Sequence, residues 1–197
     1  MRRNVILAAG DFPRKGTAPR ELLDNAARVI CCDGAADILR RRARREPDAV
    51  VGDLDSLKGR FANTVRIGDQ ETNDLEKAAA YCKAKGLRNP IVVGATGGRD
   101  DHSIGNIFRA IDLGLETVTE NGRFIPFDAR IALTLQPGTP VSVFAARPGT
   151  KMSSQGLAWP LDGVAFDAVY RATLNKTSAR RAVIRTNKRA CVYIPFK

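Results

Sequence analysis

The sequence predicts an α/β parallel-sheet half followed by an all-β half. Two observations carry this. As far as about Leu115, short β-branched runs alternate with helical stretches, and after about Val118 the helical period disappears. In the first half, residues 5–8, 29–32, 50–51 and 91–93 read as strands, and 21–27, 35–42, 75–84 and 103–113 as helices. The strand runs are apolar throughout rather than alternating, as expected when both sheet faces are covered. Ligands then gather at the carboxyl ends of the strands. In the second half, 123–127, 131–135, 141–144, 164–166, 168–171, 182–186 and 191–194 read as strands. They are separated by turn pairs such as Asn121-Gly122, Pro137-Gly138 and Pro148-Gly149. The expected domains are 1–118 and 119–197, the second a small sandwich or barrel.

A chain of 197 residues with 44% hydrophobic content buries a real core without covalent staples. Cys31, Cys32, Cys82 and Cys191 form no Cys-x-x-Cys pair, and His102, the single histidine, completes no familiar zinc spacing with them. They read as reduced thiols of a cytoplasmic protein. The apolar run from Val5 to Ala9 is too short for a signal-peptide core or a membrane span, so no membrane partner is expected. The formal charge of +11 attracts anions without choosing among them. The densest basic run, Arg40, Arg41, Arg42, Arg44 and Arg45, sits at a helix end, where a solvated last turn complementing the dipole competes with a nucleic-acid patch.

Acidic residues fall at strand ends and helix starts. Asp33 follows an apolar strand and precedes a helix, as either a cap or a ligand-binding group. In Val51-Gly52-Asp53-Leu54-Asp55-Ser56 two carboxylates follow a buried strand; in extended backbone residues i and i+2 point the same way, so Asp53 and Asp55 are expected to face one Mg²⁺. Asn73 and Glu76 have capping-box spacing, which places Asp74 in the first turn of the next helix. That position alone accounts for Asp74, and its combination with Asp53 and Asp55 makes it a candidate metal ligand. Gly94 to His102 runs from a strand end into a helix, where glycines such as Gly97 let backbone N–H groups approach phosphate and Arg99 neutralises charge. Neither the Gly-x-Gly-x-x-Gly nor the P-loop pattern is present. His102 by itself reads as structural, and Trp159, the single tryptophan, as either core or an aromatic wall.

These segments resemble the thiamine pyrophosphokinase family along nearly the whole chain. The resemblance rests on Asp33-Gly34-Ala35-Ala36, Gly52-Asp53-Leu54-Asp55-Ser56, Asn73-Asp74-Leu75-Glu76, Gly97-Gly98-Arg99-Asp100-Asp101-His102 with Asn106, and Gly156-Leu157-Ala158-Trp159-Pro160-Leu161. It implies a Rossmann-like nucleotide domain followed by a β-rich domain, and transfer of a pyrophosphoryl group from ATP to the thiamine hydroxyl, releasing AMP. By the same resemblance Asp53, Asp55 and Asp74 are catalytic and hold Mg²⁺, while Asp33, Asn73, Gly97, Arg99 and Asp101 shape the nucleotide site. Trp159 with Ser153 or Ser154 contacts thiamine, in a pocket completed across a homodimer. The sequence departs from the family where Asn73 replaces a common threonine and Leu174-Asn175 stands for Ser-Asn. Two rivals remain: a nucleotide-sugar glycosyltransferase using Asp53 and Asp55, and a basic nucleic-acid module in the second half. The second is not expected, because single-strand binding wants aromatics interleaved with the basic residues.

Overall fold

The computed structural model describes residues 2–196 and divides into two compact units, Met1–Glu120 and Asn121–Lys197. In the first unit the strands are β1 (Asn4–Leu7), β2 (Arg28–Cys32), β3 (Ala49–Gly52), β4 (Thr64–Arg66), β5 (Ile91–Val93) and β6 (Thr117–Val118). The helices are α1 (Ala18–Asp24), α2 (Ala35–Ala43), α3 (Asp74–Ala84) and α4 (Asp100–Leu113). The strands are parallel and run in the order β6-β5-β1-β2-β3-β4. Order reverses at β1, where Ile6 lies between Ile30 of β2 and Val92 of β5. Such a reversal opens a crevice at the carboxyl ends of the strands.

The continuous apolar runs are explained by the pleat. Val5, Leu7, Val29, Cys31 and Val50 point to one face and pack with Leu23 of α1 and Leu39 of α2. Ile6, Ile30, Cys32, Ala49 and Val51 point to the other, against Leu75, Ala78 and Cys82 of α3 and Ala110 of α4. The Asn73 capping box forms: its side chain accepts from the Glu76 N–H at 3.0 Å, and the Glu76 carboxylate accepts from the Asn73 N–H at 3.1 Å. This fixes the residue at which α3 starts, and so the position of Asp74. The arginine run across the end of α2 is only partly a solvated last turn. Arg40 pairs with Glu46 at 2.6 Å and lies over the Phe61 ring at 3.8 Å, and Arg45 donates to the carbonyls of Leu23 and Ala26.

In the second unit β7 (Gly122–Phe127), β9 (Pro140–Ala145), β11 (Ala172–Lys176) and β13 (Ala190–Pro195) form an antiparallel sheet in the order β11-β9-β13-β7. A separate antiparallel sheet, β10-β12-β8, is built from β8 (Arg130–Thr134), β10 (Met152–Gln155) and β12 (Arg181–Thr186). Both contribute to one core: Val141, Val143 and Val192 from the first meet Leu133, Met152 and Ile184 from the second. The strands expected at 164–166 and 168–171 do not form. Phe166 makes only an isolated bridge to Thr150, and an Asp167–Arg171 ion pair at 2.6 Å closes the following turn. Two strands not expected from the sequence, β10 and β11, flank that stretch instead; their Ser, Gln, Thr, Asn and Lys residues carry little hydrophobic period.

Candidate active site

Asp33 follows β2, Asp53 follows β3 and Asp74 opens α3, so three separate elements deliver carboxylates to one edge of the sheet. One oxygen from each lies within 4.8 Å of the others. Asp33 is buried at 4% exposure and adopts a left-handed φ of 41°. Its Oδ2 accepts from the Ser56 N–H at 3.1 Å, while its Oδ1 is buried with no hydrogen-bond partner. An orphaned carboxylate oxygen costs stability unless a cation or donor meets it. Gly52 is what allows the convergence: a Cβ there would stand 3.0 Å from the Asp33 Cβ and 3.1 Å from Asp74 Oδ1.

Asp55 does not join the group. Leu54 takes a left-handed φ of 67°, which breaks the extended geometry and with it the alternation that placed Asp53 and Asp55 on one side. The Asp55 N–H instead donates to Asp53 Oδ1 at 3.2 Å, and its carboxylate, 76% exposed, sits 4.0 Å from Arg66. Asp33 occupies the third place in the cluster.

Burial raises the pKa of Asp74; Lys77 opposes that rise, and the charges of Asp53 and Asp33 add to it. The Lys77 side chain is only 4% exposed, with its Nζ 3.4 Å from Asp74 Oδ1. Sequence reasoning missed Lys77, although the signal was there: a cation three residues after Asp74, amid the apolar stripe of Leu75, Ala78 and Cys82. Asp53, Asn73, Asp74 and Lys77, with His102 and Asn106 opposite them on α4, line a cavity of about 200 Å³. Burial pushes the Cys32 thiol at its floor well above the ordinary value, so it is not a nucleophile.

The loop from β5 into α4 packs against the one after β1. The Gly10 N–H donates to the Gly94 carbonyl and the Asp11 N–H to the Thr96 carbonyl, both at 2.8 Å. Gly97, at φ 86°, presses on the Asp11 side chain, where a Cβ would overlap. Arg99 forms a two-pronged ion pair with Asp101 at 3.1 and 2.6 Å, which holds the Asp101 carboxyl down at about 2; the His102 N–H adds to this effect. Both residues are exposed, so this pair can rearrange toward an anion at little cost.

In the second unit Trp159 is 57% exposed, which removes the core reading. Asn175 holds its backbone from both sides, accepting from the Trp159 N–H at 3.3 Å and donating to its carbonyl at 2.7 Å. Lys176 Nζ lies 5.6 Å from the ring centroid. Ser154 accepts from the Leu161 N–H at 2.9 Å and shares a face of β10 with buried Met152, while Ser153 points to the opposite face. Trp159, Leu161, Leu174 and Asn175 border a shallow hollow of about 310 Å³.

The fold is an α/β parallel sheet with a cluster of three carboxylates at the carboxyl edge of its strands. Residues 19–119, just over half of the sequence, match the thiamin pyrophosphokinase catalytic domain, and the chain belongs to that family. It is an enzyme, a transferase in the synthesis of thiamine diphosphate. Thiamine pyrophosphokinase 1 of Arabidopsis thaliana is 25% identical, over 71% of this chain and 67% of its own. Thiamine pyrophosphokinase 1 of rice is 31% identical over 44% of each chain, so the match spans less than half of that relative. Among solved structures, thiamine pyrophosphokinase from Bacillus subtilis superimposes with a TM-score of 0.72 at 17% identity, covering 99% of both chains. The yeast enzyme gives 0.73 at 14% identity, over 99% of this chain and 87% of that one. At these identities the superpositions establish the fold. The family match sets aside the glycosyltransferase reading. Among the described residues no helix is long and apolar enough to cross a membrane.

Proposed function

We propose that this chain transfers the terminal pyrophosphoryl group of ATP to the hydroxyl of thiamine, yielding thiamine diphosphate and AMP, with Asp33, Asp53 and Asp74 as the Mg²⁺ ligands. The observation that carries the metal assignment is the carboxylate cluster with its orphaned Asp33 Oδ1. Hard oxygen donors of this kind suit Mg²⁺, which takes one or two carboxylates in most sites and fills the remainder with water and phosphate. When bound, the ion neutralises charge on the diphosphate and orients it for in-line attack.

The residues divide the remaining work. Gly52 and the left-handed Asp33 hold the carboxylates in register before substrate arrives. Lys77 opposes the rise that burial imposes on the Asp74 pKa and so favours its ionised form. The Gly97–Gly98 turn and the start of α4 offer backbone N–H groups to phosphate, and Arg99 turns from Asp101 to the nucleotide. Asn73 sets the entry to α3. Exposed Trp159 supplies a flat wall for the cationic rings of thiamine. We assign the serine contact to Ser154, whose Oγ accepts from the Leu161 N–H in the Trp159 loop and keeps its own proton to donate, and assign completion of the pocket to a second copy of the chain. The cysteines are buried and unpaired, in keeping with the cytoplasm.

The test is direct: purified protein with ATP, Mg²⁺ and thiamine, following AMP and thiamine diphosphate. AMP formed at the same rate without thiamine would overturn the acceptor. Full activity in both Asp33→Asn and Asp53→Asn would overturn the metal ligands.

A further inference from the structure

The positive charge of this protein is not spread along it. Residues 121–197 contain twelve Lys and Arg against three Asp and no Glu, so they carry +9 of the formal +11. All three carboxylates are already engaged. Asp128 pairs with Arg189 at 2.6 Å and Asp167 with Arg171 at 2.6 Å, while Asp162 accepts from the Ser154 N–H at 3.2 Å. Two of the three are ion-paired, and among the described residues none pairs with Arg130, Arg181 or Arg185.

Strand register places three of those cations together. In the sheet β10-β12-β8, Met152, Ala182, Ile184 and Leu133 point into the core. The alternate residues form the outer face: Ser153 and Gln155 on β10, Arg181, Val183 and Arg185 on β12, Arg130, Ala132 and Thr134 on β8. Arg185 lies directly opposite Arg130 in the register, with Ser153 on its other side. Like charges facing each other across strands, with side chains starting roughly 5 Å apart, are destabilising. Arg181 stands about 13 Å further along the same strand. All three arginines are exposed, and among the described residues none has an ion-pair partner. A face that accepts this repulsion is matched to an external polyanion.

We propose that the outer face of β10-β12-β8 binds the phosphate backbone of double-stranded nucleic acid without reading its sequence. The cations on it are arginines, whose planar forks fit phosphate oxygens in pairs, and Thr134, Ser153 and Gln155 add neutral donors of the kind that contact backbones. It carries no aromatic side chain, which removes the stacking platform that single strands require. Nor does it expose a large apolar group for insertion into a lipid surface; Val183 is 7% exposed beneath its neighbours. A second copy of this face is a poorer partner, because it brings three more unpaired arginines and no carboxylate to meet them.

The test uses the full chain and a fluorescently labelled random-sequence 20-base-pair duplex, read by anisotropy. Three phosphate contacts give a log–log salt slope near −2.7, so affinity falls roughly 40-fold between 50 and 200 mM salt. A second duplex of unrelated sequence binds within about twofold. Arg130→Gln/Arg181→Gln/Arg185→Gln reduces the slope by about one per arginine and weakens binding by roughly tenfold or more at low salt. The same variant keeps full thiamine diphosphate formation and unfolds no earlier than wild type, since it removes a repulsive pair. Arg41→Gln/Arg42→Gln/Arg44→Gln takes equal charge from the other unit and serves as control. Equal weakening in both triple variants would make the binding a property of net charge and overturn the proposal. So would capture by phosphatidylserine vesicles that is as tight as duplex binding and is lost in the same arginine variant.

Discussion

Replacing Asp53 by Asn tests the charge argument at the centre of this protein, because it nearly preserves shape while removing one of three negative groups. The Asn Oδ1 still accepts from the Asp55 N–H, so the local turn keeps its hydrogen bond. Carboxylate oxygens within 4.8 Å repel by about 0.9 kcal/mol per pair at the dielectric of water and about 3.5 at an effective value of 20. Asp53 and Asp74 are partly exposed, so the lower figure governs, and Asp53→Asn relieves its repulsion with both Asp33 and Asp74. The expected gain for the metal-free protein is about 1–2 kcal/mol, at roughly 2–4 °C of melting temperature for each kcal/mol. The sign has a pH signature. Folding raises the Asp74 pKa above its ordinary 3.8, so the folded state holds the proton more tightly than the unfolded one. Metal-free stability therefore falls as pH climbs from that value through the folded pKa, and the loss stays in place above it. In Asp53→Asn the fall is smaller, because one of the charges that raise Asp74 is gone. The assay is thermal unfolding in EDTA at several pH values, followed by Mg²⁺ titration. Wild type gains stability with Mg²⁺ and the variant gains less, while its turnover is lost. A variant less stable than wild type in EDTA, with an undiminished response to Mg²⁺, would refute the reasoning.

Three further outcomes follow from the same geometry. Gly52→Ala puts a methyl group 3.0 Å from the Asp33 Cβ and 3.1 Å from Asp74 Oδ1; turnover drops at least about tenfold with the circular dichroism spectrum retained, because displacing a catalytic group by under 1 Å suffices. Lys77→Met keeps the buried volume but removes the cation that lowers Asp74, so the acid limb of the pH–rate profile moves to higher pH; an unmoved limb counts against the pair. Trp159→Ala removes a side chain that is 57% exposed, so the melting temperature changes by about 1–2 °C at most, while the KM for thiamine rises with the KM for ATP unchanged.

Much of the first unit was legible in the chain because local signals and burial agree there. Runs such as Val29 to Cys32 are apolar on both faces, and the Asn73–Glu76 box marks the start of α3 to the residue. α1 begins earlier than the expected 21–27, at Ala18, with proline in its first turn. β4 and β6 went unread because they have only three and two residues, too few to show a period. In the second unit β10 and β11 are largely polar, whereas the apolar residues near Phe166 fill the core from a loop.

By itself the sequence determined the family and the change from an α/β to a β-rich half, and it marked out acidic positions for the candidate site, because those depend on side-chain period and on short motifs that need no partner. Which carboxylates meet was decided by tertiary structure. Asp55 is two residues from Asp53 yet turns to Arg66, because the left-handed Leu54 interrupts the extended backbone, and Asp33, twenty residues earlier, takes its place, because β2 and β3 are hydrogen-bonded neighbours. The same holds for Lys77, whose charge became meaningful only when helix packing buried it against Asp74. It holds as well for Arg130 and Arg185, far apart in the chain and set face to face by strand register. Sequence distance says which groups are present; pairing across strands and burial say which of them share a field.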